Sequence, residues 1–265
     1  MLRQVVGWGA PAIALVGLFA VQLVSGPVVG ASATALIGAA LTVVVGAAVG
    51  ILAEAHGRAH PDFDAVRARF ALTLWILPTL LVIAVGLVMV FLQGVDPLLA
   101  RTLPLVGAAF CGLAVLAQDR EIAISDDAGG WPKLLLSLLT YVAAFTLFTM
   151  IYQTKERSLV TATSMAVLAA LLSLAMLRSA PAPRKRTMLY AGLIGLATGE
   201  VTWALNYWVV LALVGGAVLL LLFYVLVGVA EGILAGELTR RLLIEYSSVG
   251  LLGFLLILST GPWRP

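Results

Sequence analysis

Charge is what this chain has least of. Only 11% of its 265 residues are Asp, Glu, Lys or Arg, where soluble domains carry about 25%. No charged residue occurs between Arg3 and Glu54, Arg69 and Asp96, Lys133 and Lys155, Arg157 and Arg178, or Glu200 and Glu231. With 62% hydrophobic residues and a mean hydropathy of +1.10, a water-soluble fold of this length could not hide its apolar surface. Each uncharged run can supply the roughly twenty apolar residues that cross a hydrocarbon core of about 30 Å.

Cysteine is nearly absent too. The single Cys111 excludes disulfides within the chain and cysteine-based metal centres. The two histidines, His56 and His60, both lie outside the apolar runs, which excludes haem held between intramembrane histidines. There is no glycine-rich phosphate loop with its lysine, no H-E-x-x-H and no G-x-S-x-G, so the chemistry those motifs carry has no foothold. The sequence leans away from an enzyme, and no cofactor is expected.

What is present reads as an all-α, polytopic membrane protein: residues 1–265 as one integral membrane helical domain, a single bundle of about nine transmembrane helices. The expected spans are 5–24, 28–53, 70–93, 102–118, 134–153, 158–177, 187–206, 208–230 and 242–259. Residues 1–24 mimic a secretory signal, but the next apolar run follows almost at once, so an uncleaved first span is expected. Threading these spans alternately puts twelve of the sixteen Lys and Arg on one side. Basic loops stay cytoplasmic, so the expected location is the cell (inner) membrane, N-terminus cytoplasmic and C-terminus outside. The fourth span, short and carrying Pro104, is the weakest. Trp203, Tyr207, Trp208, Tyr152 and Trp263 then fall at the outer interface, and Trp8, Trp131, Tyr190 and Tyr246 at the inner one, where amphipathic rings settle. Pro78 inside the third span predicts a kink. The basic residues are loop orientation signals, so nucleic acid is not an expected partner.

The second span carries a small residue at every fourth position: Gly30, Thr34, Gly38, Thr42, Gly46 and Gly50. That spacing makes a ridge of almost no side-chain volume on which another helix backbone can seat. The ridge fits a helix at the bundle centre, or an interface with a second copy or another subunit. Gly195 and Gly199 repeat the pattern next to Glu200.

Glu200 is the leading candidate for function. It lies fourteen residues past Arg186, about 21 Å along a helix, beyond the membrane midplane. A carboxylate there needs a partner, a water-filled cavity or a proton. Trp203 and Tyr207 share its face and Asn206 is near, which fits a proton or cation site. The structural alternative is a protonated or Arg-paired Glu that locks helices, with Arg101, Lys155 and Arg157 on the nearer side.

Other features read more weakly. His56 and His60, four apart among carboxylates, could share a metal, but Gly57 and Pro61 make the segment a solvated loop. The Asp126–Asp127 pair lacks a second acidic motif for Mg²⁺. Arg184-Lys185-Arg186 can attract anionic headgroups. Ser137, Tyr141, Thr149 and Tyr152 form a polar stripe on the fifth span suited to interhelical hydrogen bonds. Glu231 falls at the cytoplasmic boundary with Glu237, Arg240, Arg241 and Glu245.

Together these features favour a non-catalytic subunit, scaffold or assembly factor of a membrane complex. Its expected partners are membrane lipids and other membrane-protein subunits or a second copy. The alternative is a transporter or channel for a proton, cation or small solute using Glu200, and a lipid-modifying membrane enzyme comes third.

Overall fold

The computed structural model describes residues 2–24, 31–63, 73–92, 97–123, 130–154, 158–208 and 210–259. Among these residues the protein is entirely helical, with one helix in each expected span. The helices are α1 (Leu2–Val24), α2 (Ala31–Arg58), α3 (Ile76–Leu92), α4 (Pro97–Ala123), α5 (Trp131–Thr154), α6 (Ser158–Leu177), α7 (Arg184–Leu205), α8 (Ala212–Ala235) and α9 (Arg240–Ser259). Six of them, α2 and α4 to α8, are long and apolar enough to cross a membrane. That is the architecture of a helical membrane protein. Two compact units divide at Ala143/Ala144, within α5.

In the first unit α1 to α4 pack around a core of Ala10, Ala14 and Leu18 from α1, Val45, Val49 and Ala53 from α2, Val82, Val85 and Met89 from α3, and Cys111 and Val115 from α4. The small-residue ridge of α2 faces α3. Thr42, its hydroxyl bonded to Gly38 O at 2.8 Å, sits against Gly86, while Gly46 lies under Ile83 and Thr79 O, and Gly50 under Thr79 and Trp75. The volume missing from one helix is filled by the other, which dispersion rewards in a close-packed interior. Gly30 lies outside the described residues, as does the Thr34 side chain.

Three boundaries differ from the sequence expectation. Pro78 occupies the first turn of α3, where its missing N–H would have no intrahelical partner anyway, so it starts a helix and the expected interior kink has no place. α4 runs through Pro104 for 27 residues, so the weakest expected span is one of the longest helices. α2 continues past Ala53 to Arg58. Gly57 does not end it, because its bare Cα leaves room for the Leu74 side chain.

In the second unit α6 and α7 form the tightest pair. A Cβ on Gly195 would run into Ala166 O and lie 2.7 Å from the Ala170 Cβ, and one on Gly199 would lie 2.9 Å from both Ala162 O and the Ala166 Cβ. Glycine opposite alanine lets the two backbones touch. From α5, Thr149 and Tyr152 press on Gly216 and Gly215 of α8, and Phe148 meets Phe223 edge to face at 5.7 Å. α8 stops where Gly236 takes the left-handed conformation, φ 73°. Glu237 N then donates to Gly232 O at 3.0 Å and Gly236 N to Ile233 O at 3.2 Å, the paired bonds of a Schellman cap.

Candidate functional site

α7 begins after Pro183, an N-cap with an extended ψ of 136°, whose carbonyl accepts from Arg186 N at 2.8 Å. Its buried face is Thr187, Ala191, Ile194, Gly195, Thr198, Gly199, Thr202 and Leu205. The Thr198 and Thr202 hydroxyls return to Ile194 O and Thr198 O at 2.8 and 2.7 Å, so both are satisfied within the helix. At the far end Tyr152 of α5, 1% exposed, donates its hydroxyl to Leu205 O at 2.9 Å. That bond is a second one on a terminal carbonyl beyond the helical ladder, which also accepts Trp208 N at 3.0 Å. Replacing Tyr152 with phenylalanine removes only this hydroxyl. A net loss of about 1 kcal/mol is expected, read as a thermal midpoint lower by roughly 2–4 °C in detergent.

Glu200 lies on the other side of α7. It is exposed and makes no hydrogen bond or ion pair among the described residues. Trp203 and Tyr207 are exposed beside it at 55% and 75%, and Asn206 is half-buried with its Nδ2 unbonded. Glu200 and Trp203 lie on the side of α7 turned away from α6, and Tyr207 lies just past the helix end at Leu205. Lys155 and Arg157, named as ion-pair partners from the sequence, lie outside the described residues. Arg101 is exposed on α4. The carboxylate sits five residues inside the helix end, about 7.5 Å, one turn below the aromatic residues. A charged side chain at the centre of a membrane-crossing helix costs about 2.5–3.5 kcal/mol on insertion scales, with less toward the ends. Chemically the position can accept hydrogen bonds from a cationic or amide donor, or take up a proton.

A second polar cluster closes the first unit where α2 and α4 end. Glu54 Oε2 accepts Leu74 N at 3.0 Å and Trp75 N at 3.2 Å, while its Oε1 accepts Arg58 Nε at 2.9 Å. Gln118 Nε2 donates to Leu74 O at 3.1 Å. The turn 73–75 has no helix to satisfy its backbone, and these two side chains do so instead. His56, 5% exposed, holds Asp119 Oδ2 through Nε2 at 2.7 Å. His60 turns to Asp62, accepting Asp62 N through Nδ1 at 3.2 Å. Each histidine is thus engaged by a different carboxylate, and among the described residues no three His, Cys, Asp or Glu come together as metal ligands. The Asp126–Asp127 pair lies outside the described residues. Sequence reading missed Gln118 and Asp119. Their one signal was a pair of polar residues closing an apolar run, opposite another run closed by Glu54 and His56.

With both clusters placed, the comparisons can be weighed. A family model described as a protein of unknown function, DUF5656, matches residues 14–260. The chain belongs to the DUF5656 family. No curated protein and no solved structure matches it. The match covers every described helix from the second half of α1 onward, so both polar clusters of this DUF5656 chain lie within the family's extent. Family membership assigns neither of them a chemistry.

Proposed function

We propose that this is a multi-pass inner-membrane protein, N-terminus cytoplasmic, that serves as a non-catalytic subunit, scaffold or assembly factor and receives a partner on the outer face of α7. One observation carries the reading: the carboxylate of Glu200 stands exposed among Leu193, Leu196 and Trp203 and has no hydrogen-bond or ion-pair partner among the described residues. A proton or cation path would instead need further polar groups converging on that carboxylate. Its neighbours are Leu193, Leu196 and Trp203, with the Tyr207 hydroxyl past the helix end the one further polar group. In the cluster where α2 and α4 end, Glu54 and Gln118 support the 73–75 turn and His56 holds Asp119.

Native-gel migration from mildly solubilised membranes tests the reading, with proton flux in proteoliposomes beside it. The wild type should run as an assembly larger than its 27.7 kDa chain. Glu200→Gln should fold equally well, run smaller, and match the wild type in flux. A wild type that conducts protons while Glu200→Gln is silent would assign Glu200 to transport and end the subunit reading. Reporter fusions after α9 test the orientation, with an outside location expected.

A further inference from the structure

We infer that the outer face of α7 binds a membrane helix carrying a lysine or arginine side chain, seated on Glu200. This rests on the subunit reading and adds the partner's chemistry. Leu189, Leu193, Leu196, Glu200, Trp203 and Tyr207 follow one another at alternating steps of four and three residues. All are exposed. Steps of four and three are the seam spacing by which two helices interlock at a shallow left-handed crossing. The seam spans residues 189–207, and its helical part, up to Leu205, rises about 24 Å, most of a membrane crossing. Beside it Gly192 has open space where a Cβ would stand, so a second backbone can come close.

Within the seam Glu200 is the only charged residue. One polar group in an apolar seam sets the register of the partner, because every other alignment leaves it unmatched. Being a carboxylate, it selects a cation or a strong donor. A lysine or arginine can lay its methylene stem along Leu196 and bring its charge to the carboxylate from the interface, within reach of the Trp203 ring face. A lipid amine would engage only the outer end and leave Leu189 to Leu196 unread.

The test uses the full chain in vesicles of phosphatidylglycerol, which has no amine headgroup. The probe is a synthetic Leu/Ala membrane-spanning peptide with one lysine about 8 Å inside its outer end, compared with glutamine and leucine versions by energy transfer. The lysine peptide should associate about tenfold more tightly than the leucine peptide. Glu200→Gln should erase that advantage at an unchanged thermal midpoint, and Glu200→Lys should prefer a glutamate peptide instead. Equal association of all three peptides overturns the inference. If Glu200→Gln nevertheless dissolves the native assembly, the partner chemistry alone is wrong; if that assembly is also indifferent, the subunit reading falls with it. Selective retention of phosphatidylethanolamine by the wild type, without lysine preference, would give the face to lipid and likewise overturn the inference.

Discussion

Leucine at Gly195 will break the α6–α7 pair, whereas leucine at Gly192, three residues away on the same helix, will leave it intact. The difference lies in what each new side chain meets. At Gly195 the new Cβ meets Ala166 O and, with the Ala170 Cβ, the backbone N of Ala170. The O and the N belong to main chain fixed in the helical ladder of α6, so neither can swing aside as a flexible side chain would. At Gly192 nothing lies within 4 Å of the new Cβ. Overpacking a filled site costs about 1–3 kcal/mol, occasionally more, and a clash against two backbones belongs at the upper end. Thermal unfolding followed by size-exclusion in detergent should show Gly195→Leu lower by roughly 5–10 °C, with Gly192→Leu within about 1 °C of wild type. Gly199→Leu should behave like Gly195→Leu, since it meets Ala162 O. Equal midpoints for Gly192→Leu and Gly195→Leu would mean that α6 does not sit on the glycine face.

That helix face also decides how Glu200 is understood. From the sequence, the 3.6-residue period already put Trp203 and Tyr207 beside Glu200. Gly199 and Gly195 lie about 100° and 140° away round the helix. Whether the acidic face looked inward or outward could not be read from α7 alone, because that depends on where α6 docks. Ala162, Ala166 and Ala170 of α6 form the matching stripe at the same four-residue spacing. Pairing the two stripes is the signal in the sequence that turns Glu200 outward.

The helices themselves were legible because lipid tolerates only long apolar runs with their backbone bonds closed internally. Their ends were not. α2 ends at Arg58 and not near Ala53, and α4 ends at Ala123 and not near Gln118, because helices persist past the hydrocarbon wherever side chains find partners. Those partners are far apart in the chain: His56 and Asp119 are 63 residues apart, Tyr152 and Leu205 are 53 apart. Loop charges such as Glu54 and His56 read as solvated in one dimension. In three they are buried, since each ends its run beside another that ends the same way.

The buried cluster where α2 and α4 end makes the second large prediction. Glu54→Ala should destabilise the first unit more than any other single change to a charged residue there, and Glu54→Gln should recover part of the loss. Alanine leaves the N–H groups of Leu74 and Trp75 without their acceptor, and each unsatisfied buried donor costs about 1–3 kcal/mol. Arg58 loses its partner as well, but it is half exposed and can turn to water, so little is expected from that contact. Glutamine keeps one carbonyl oxygen for the two N–H groups, without the charge that strengthens such bonds. Hydrogen exchange at the amides of residues 74 and 75 checks the account directly. Protection there should fall in the order wild type, Glu54→Gln, Glu54→Ala, while the α3 amides beyond Thr79 exchange as before in the glutamine variant. If Glu54→Ala leaves residues 74 and 75 protected, the carboxylate does not hold the turn, and the approach of α3 to the end of α2 must rest on the Gly46, Gly50 and Gly57 contacts alone.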